Sequence, residues 1–118
     1  MVALLRGFQY SRDVLERLRA LMTVGRYRLT LHAEEERDAD EITIDDIEEA
    51  YPDAATEIIE DYSDDPRGHS TLVLAFTKAG EPLHAVWSIH ENIAILITIY
   101  RPDPKLWTNW RKRKGRRS

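Results

Sequence analysis

The hydrophobic pattern of this chain changes its period near the middle, and this change limits the folds that the chain can adopt. Between residues 11 and 23, apolar residues recur every three or four positions, which is typical of an amphipathic helix. From about residue 56 onward, four β-rich runs are separated by short segments with turn chemistry. A chain with its helices first and closely connected strands after them is predicted to be α+β, with helices on one face of a four-stranded antiparallel sheet.

Local signals place the individual elements. Thr30 is expected to cap a second helix that runs to about Ala39. Thr43 and Asp46 have the spacing of a capping box that opens a third helix. Tyr27–Leu29 fits either a short strand or a turn. The remaining predicted elements are strands at Thr56–Tyr62, Ser70–Thr77, Leu83–Ile89 and Ile93–Tyr100, and a short C-terminal helix at Pro104–Lys114.

The last two predicted strands carry an apolar residue at every odd-numbered position. A three-residue loop at His90–Asn92 would put both apolar sets on the core face. His84 would then lie on the other face, opposite Thr98 and diagonal to Tyr100, within reach of both side chains.

Length and composition exclude several classes of protein. With 118 residues, the chain is expected to form one domain over 1–118. It has no cysteine, which excludes disulfides, thiolate catalysis and cysteine-ligated zinc. No apolar run is long enough to span a membrane, and the first residues lack the pattern of a secretory signal. The expected location is therefore the cytoplasm.

The formal net charge of −4 conceals two opposed blocks of charge. Residues 31–66 hold 16 acidic side chains and one basic one, whereas residues 101–118 hold eight basic and one acidic. The basic tail at 111–118 is predicted to be flexible and to attract the phosphates of a nucleic acid. Trp107 and Trp110, just before it, would either stack on bases or anchor the last helix to the core.

Two histidines are candidates for acid–base chemistry. His32 is predicted in the first turn of a helix, where the dipole favours a neutral imidazole that can accept a proton. His84 is predicted near Tyr100 on the less apolar face of the sheet. The structural alternatives are a local helix-start histidine and an ordinary hydrogen-bonded strand histidine. His32 and Glu36 have helical spacing, but no further ligand pair completes a metal site, so neither metal nor cofactor is expected.

Several segments taken together, in this order, resemble domain-of-unknown-function family 4258. The segments are Thr30–Arg37 (TLHAEEER), Glu57–Tyr62 (EIIEDY), Asp65–His69 (DPRGH), Pro82–His84 (PLH) and Ile97–Pro104 (ITIYRPDP), and the similar region covers roughly 27–111. Members of this family look like relatives of RelE- and MqsR-type toxins. The resemblance implies a RelE-like fold, metal-independent cleavage of RNA, and a zinc-finger or helix-turn-helix antitoxin as partner.

The resemblance also directs the choice of site residues. Cleavage by attack of a ribose 2′-hydroxyl needs a base, an acid and cations around the phosphate. The expected residues are His32 and His84 as the acid–base pair, Tyr100 as an alternate acid, and Arg37, Arg67 and Arg101 on the phosphate. Where many members carry Arg, four residues after the motif histidine, this chain has Glu36. A non-catalytic module that binds protein or RNA is therefore the competing interpretation, and a homodimer is compatible with either.

Overall fold

The computed structural model of the chain describes residues 2–115, with side chains from Arg12 onward. Its elements, in chain order, are α1 Val2–Thr23, β1 Tyr27–Leu29, α2 Leu31–Ala39, α3 Ile44–Ala50, β2 Glu57–Tyr62, β3 Ser70–Phe76, β4 Pro82–His90, β5 Ile93–Tyr100, β6 Trp107–Thr108 and β7 Lys112–Arg113. The α+β class is as predicted. α1 begins at Val2, earlier than the periodicity indicated, and the other two helices follow their capping signals.

The sheet has five strands and mixed direction, in the order β1–β5–β4–β3–β2. Strands β2 to β5 form the predicted antiparallel meander, but β1 adds a fifth strand that runs parallel to β5, with Tyr27 opposite Ala94. The expected four-stranded, RelE-like antiparallel sheet is therefore wrong. The physical reason is that three residues show no measurable alternation, and their partner strand lies more than 60 positions away in the chain.

Both predicted N-caps are present. The Thr30 hydroxyl accepts a hydrogen bond from the amide of Ala33 at 3.0 Å, and Thr43 and Asp46 exchange both bonds of a capping box. The amide of Thr30 also donates to the carbonyl of Leu96 at 3.0 Å. The capping residue of α2 thereby fixes this helix beside the edge of β5.

The connection between β4 and β5 differs from the predicted three-residue loop. His90 pairs with Ile93, which leaves a two-residue loop in which Glu91 has a positive φ of 55°. Further along, the register shifts between Val86 and Trp87, so that β5 contains one extra residue. Such a bulge reverses the alternation of side chains on one side of it.

The two-residue loop and the bulge each move the predicted register by one residue, and together they explain two errors. Leu96, rather than Ile97, packs in the core under the helices, while Ile97 turns to the opposite face. His84 lies directly opposite Tyr100 and not opposite Thr98. A single inserted residue leaves no signature in a uniformly apolar strand, so this shift is invisible in the sequence.

We call the side of the sheet that the helices cover the helix face; it includes Val73, Trp87 and Leu96. The main core lies between this face and the helices, where Leu18, Ile47 and Tyr51 are fully buried. The Tyr51 hydroxyl donates to the carbonyl of Val73 at 3.1 Å, and its ring meets the edge of Trp87 at 5.4 Å between centroids. Three helices thus seal one side of the sheet almost entirely with apolar contacts.

The other side, the hairpin face, carries Leu72, His84, Val86 and Ile97 and is covered by a C-terminal hairpin formed by β6 and β7. The predicted C-terminal helix at Pro104–Lys114 is wrong. The apolar residues that suggested a helix do not share one face. Leu106 is 61% exposed, whereas Trp107 is buried against Leu72, Val86 and Ile97.

The chain reverses at Asn109 and Trp110, which have left-handed φ values of 52° and 61° and therefore cannot belong to a right-handed helix. Of the predicted flexible tail, Lys112 and Arg113 form β7, and residues 116–118 lie outside the described part. Within the described residues, no helix is both long and apolar enough to cross a membrane.

Candidate acid–base site on the hairpin face

A row of side chains crosses the hairpin face from one edge of the meander to the other. The backbone register places Glu57 beside Leu74, Leu74 beside His84, and His84 beside Tyr100. The next row contains Glu60 beside Leu72. The meander therefore brings an imidazole, a phenol and two carboxylates from three different strands onto one surface.

His84 is completely buried, and both of its ring nitrogens have partners. Nε2 lies 2.7 Å from the carbonyl oxygen of Trp110, and Nδ1 lies 3.1 Å from the hydroxyl of Tyr100. A carbonyl can only accept, so Nε2 carries the proton and the lone pair on Nδ1 accepts from Tyr100. Burial lowers the pKa of His84, with the Trp110 carbonyl and the charge of Glu60 opposing this shift. The geometry thus fixes a neutral imidazole whose basic nitrogen faces a phenol.

Tyr100 is half-buried, whereas His84 is fully buried. Desolvation raises its pKa, the positive charge of Arg113 lowers it, and the negative charges of Glu60 and Glu36 raise it further. Tyr100 therefore bonds to the buried His84 and lies within the electrostatic influence of Glu60 and Glu36, and its neutral hydroxyl can pass a proton between solvent and Nδ1.

The hairpin closes over His84 through aromatic contacts and ion pairs. The Trp107 ring meets His84 at 4.4 Å between centroids with an angle of 89°, and the Arg113 guanidinium lies 4.7 Å from the centre of that indole. Arg113 binds both oxygens of Glu60, at 2.8 and 3.0 Å, and Arg111 binds Glu57 at 2.9 Å. The basic end of the chain is thus paired with the acidic block.

These pairs shift the titration of the carboxylates and of a second phenol. Hydrogen bonding from Arg113 lowers the pKa of Glu60, and hydrogen bonding from Arg111 lowers that of Glu57. Burial and the hydrogen bond to Glu60 raise the pKa of Tyr62 to about 12. At neutral pH the hairpin face therefore holds ionised carboxylates, a charged guanidinium and neutral phenols.

His32 lies at the edge of the sheet rather than beside His84. Its side chain is 66% exposed, and its Nε2 is 3.2 Å from Oε2 of Glu36. The other oxygen of Glu36 accepts from the hydroxyl of Thr98 and from the amide of Ile99, the latter at 3.0 Å. Beyond the end of β1, Glu36 therefore accepts the hydrogen bonds that the edge of β5 donates. It also links His32 to the strand that carries Tyr100.

The three predicted phosphate-binding arginines are not brought together. Arg101 follows Tyr100 directly, but its guanidinium binds the carbonyls of Asp40 and Glu41 and the carboxylate of Glu81. Arg37 lies on α2, where it binds Glu34 at 2.8 Å and the carbonyl of Ile42 at 3.1 Å.

Arg67 lies in the turn between β2 and β3 and makes two hydrogen bonds of 3.0 Å to Asp65. Hydrogen bonding from Arg67 lowers the pKa of Asp65, so the guanidinium is paired within its own turn. Among the three arginines, only Arg101 adjoins the His84–Tyr100 pair along the chain.

Sequence reasoning missed Glu60, Trp107 and Arg113 as members of this site. The one available signal was the opposition of an acidic and a basic block, which predicts attraction but not which residues meet. The described residues contain no group of three or more histidine, aspartate or glutamate side chains placed to hold a metal ion.

Comparison with known families gives a match that spans residues 29–101 and is described as Domain of unknown function (DUF4258). The chain belongs to this family. No curated protein and no solved structure is significantly similar to it. The part shared with the DUF4258 family includes His32, Glu60, His84 and Tyr100, whereas the hairpin with Trp107 and Arg113 lies beyond it. The region matched by the family model therefore contains the His84–Tyr100 pair but not the hairpin that packs over it.

Proposed function

We propose that this protein is a toxin-like endoribonuclease that cleaves cytoplasmic RNA by general acid–base catalysis. The observation that carries the proposal is the hydrogen bond between Tyr100 and the proton-free Nδ1 of His84, flanked by the charged groups of Glu60 and Arg113. In the transesterification of an RNA phosphodiester, a neutral imidazole and a phenol can transfer protons, a carboxylate can favour the imidazolium that forms, and a guanidinium can hold the phosphate.

The base in this proposal acts through Tyr100. The ribose 2′-hydroxyl gives its proton to the Tyr100 oxygen while the Tyr100 proton moves to Nδ1 of His84. The 2′-oxygen bonds to phosphorus, the bond from phosphorus to the 5′-oxygen breaks, and the products are a 2′,3′-cyclic phosphate and a 5′-hydroxyl. The Trp110 carbonyl on Nε2 and the nearby charge of Glu60 favour the imidazolium that forms. The proposed acid is the imidazolium form of His32 beside the Glu36 carboxylate, which gives its proton to the leaving 5′-oxygen and becomes neutral.

Cations near this pair would hold the phosphates. Arg101 adjoins Tyr100 along the chain, and Arg113 approaches from the hairpin. Lys105, Lys112 and Lys114 are exposed around the hairpin and would attract the RNA backbone through counterion release. Arg37, on α2, and Arg67, in the turn between β2 and β3, have no role in this arrangement.

The experiment compares two tyrosines on the same face. Purified protein is incubated with single-stranded RNA in EDTA, and the products are resolved by length and end chemistry. Tyr100→Phe removes the proton relay and should lower the cleavage rate roughly 100-fold or more. Tyr62→Phe, which also loses one phenol hydroxyl but not the bond to His84, should remain within about threefold of the natural chain. Equal rates in the two variants would exclude the relay.

A non-catalytic RNA- or protein-binding module is the second candidate, and one observation favours it. His84 is fully buried with both nitrogens satisfied by protein groups, which is the environment of a structural histidine. This candidate predicts RNA binding without cleavage, and binding that Tyr100→Phe leaves unchanged. Binding and cleavage measured side by side on the natural chain therefore distinguish the two functions, because only the ribonuclease cleaves the RNA that it binds.

A cognate antitoxin is part of the proposal. Helix α3 has no basic residue, and two of its acids, Asp45 and Asp46, lie in its first turn. We expect a small zinc-finger or helix-turn-helix protein to cover such acidic surface with a basic segment. Co-expression of the neighbouring gene should relieve growth arrest caused by the chain, and relief should be lost when the basic segment is deleted.

A further inference from the structure

Trp110 occupies a backbone position that bulky residues rarely adopt. It belongs to a turn over Thr108–Arg111, which the amide of Arg111 closes by donating to the carbonyl of Thr108 at 3.0 Å. Both central residues, Asn109 and Trp110, have left-handed φ values, of 52° and 61°. Gly, Asn and Asp dominate such turns, because a larger side chain is strained there. Asn109 follows this preference and Trp110 does not, so the turn itself gives no reason for a tryptophan.

The packing of the Trp110 side chain does not explain the residue either. Its carbonyl accepts from Nε2 of His84, but any residue could supply this backbone group. The side chain is half-buried, and among residues 12–115 its indole ring stacks on no other aromatic ring and its N–H has no hydrogen-bond partner. Trp107, by contrast, is 5% exposed and packs between His84 and Arg113. Trp107 is therefore the anchor of the hairpin, whereas Trp110 keeps an accessible aromatic surface.

Trp110 borders two clefts. The larger one has a volume of about 320 Å³, and its walls include Pro104, Trp107, Trp110 and Lys114. The other has a volume of about 210 Å³, and its walls include Glu81, Pro82, Arg101 and Trp110. An apolar cavity of about 150 Å³ already accommodates benzene, so the larger cleft has room for a planar ring system of the size of a nucleobase.

The two clefts differ in the charge that they offer to a ligand. Beside the smaller cleft, Arg101 binds Glu81 at 3.0 Å, so its charge is already compensated. Beside the larger cleft, Lys114 is exposed, and no carboxylate within residues 12–115 forms an ion pair with its ammonium group. The amide of Lys114 donates to the carbonyl of Leu106 at 2.8 Å, which fixes the backbone at this position. The larger cleft thus presents an aromatic ring and an unpaired cation to one occupant.

We propose that the larger cleft binds a nucleobase of single-stranded RNA, which stacks on Trp110 while Lys114 binds an adjacent phosphate. The identity of the ligand as RNA rests on the proposed function. Stacking of bases on aromatic side chains beside cations is a general mode of single-strand binding, since every base has a π-face. Strained residues also concentrate at ligand sites, where the surrounding structure fixes them, as the bond from His84 fixes Trp110. Trp110 thereby holds the RNA next to the His84–Tyr100 pair.

Two oligomers test the contact with the base. One is a 2′-O-methylated RNA decamer of mixed sequence, which binds but cannot be cleaved by attack of a 2′-hydroxyl, and the other is an abasic oligomer of equal length and charge. Affinities for the natural chain are measured by fluorescence anisotropy of labelled oligomers. The decamer should bind at least fivefold more tightly, since stacking contributes roughly 5- to 150-fold per base. Equal affinities, or binding of neither oligomer, would overturn the proposal.

Variants at position 110 separate stacking from the conformation of the turn. Trp110→Phe retains an aromatic ring and should bind the decamer within about threefold of the natural chain. Trp110→Leu places an apolar side chain at the same strained position and should bind the decamer no more tightly than the abasic oligomer. Lys114→Met should weaken binding of both oligomers alike, because the phosphates are common to them. Leu106→Ala, which is exposed outside this cleft, should change neither affinity.

The failure of this proposal can be distinguished from the failure of the proposed function. Decamer binding that is as tight in Trp110→Leu as in Trp110→Phe would reject the stacking contact, even if the natural chain cleaves unmodified RNA. Absence of cleavage, together with a decamer preference that Trp110→Leu removes, would reject the ribonuclease and leave the nucleobase cleft in place. The comparison of the two oligomers uses only the natural chain, so it holds whatever the folding of the variants.

Discussion

The two faces of the sheet are covered by different kinds of contact. On the helix face, three helices bury Leu18, Ile47 and Tyr51 completely in one apolar core. On the hairpin face, a short hairpin covers His84 through one indole and two arginine–glutamate pairs. Apolar burial does not titrate, whereas ion pairs are screened by salt and a buried imidazole responds to pH. The hairpin face is thus the side on which solution conditions, or a charged substrate, can change the structure while the fold persists.

The largest loss of stability is expected when a side chain is truncated in the core on the helix face. Leu96→Ala removes a fully buried side chain from the core beneath the helices and should lower the free energy of unfolding by about 2–5 kcal/mol. Leu106→Ala in the hairpin region, 61% exposed, should cost no more than about 0.5 kcal/mol. Urea denaturation with equal m-values measures both. Similar losses in the two variants would contradict the division between the faces.

The hairpin face should give the protein a pH dependence that comes from His84. Burial lowers its pKa in the folded state below the ordinary value of about 6.5, so below that pH the unfolded chain binds a proton that the folded chain does not. Stability contributed by neutral His84 is therefore complete above about pH 6.5 and declines as the pH falls, by at most about 1.4 kcal/mol per pH unit.

His84→Gln isolates this contribution, because an amide can still donate to the Trp110 carbonyl and accept from Tyr100 without titrating. The free energy of unfolding is measured for both chains between about pH 7.5 and 5. The natural chain should lose more stability than the variant over this interval. Parallel pH profiles would show that His84 is not the responsible group.

A smaller effect is expected from the ion pair that ties the hairpin to β2. Arg113→Met retains apolar contact with Trp107 but removes the bonds to Glu60 and the cation–π contact. It should therefore lower the free energy of unfolding by about 1 kcal/mol. The loss should shrink at high salt, since screening weakens the pair in the natural chain. Lys112→Met, the exposed neighbour in β7, is the matched control and should be close to neutral. If Arg113→Met left the free energy of unfolding unchanged, apolar contact alone would hold the hairpin.

Local chemistry was predictable from the sequence and long-range pairing was not. Thr30 and Thr43 act as caps as predicted because capping depends on residues within one turn. The pairing of β1 with β5 and that of Arg113 with Glu60, 53 positions apart, depends on the assembled fold. His84 and Tyr100 were expected to be neighbours, and they are, although the two-residue loop and the bulge in β5 together make them opposite instead of diagonal.

The smallest predicted effect tests how firmly the hairpin turn is held. Asn109 has a left-handed φ of 52°, a conformation that Asn tolerates, Gly adopts freely and Ala resists. Asn109→Gly should leave the free energy of unfolding within a few tenths of a kcal/mol, and Asn109→Ala should lower it by about 0.5–1 kcal/mol. The difference appears only if the folded protein keeps the turn closed, because an open hairpin imposes no left-handed backbone. Equal stabilities of the Gly and Ala variants would therefore mean that the cover over His84 is open in solution, and the helix face alone would account for the stability of the fold.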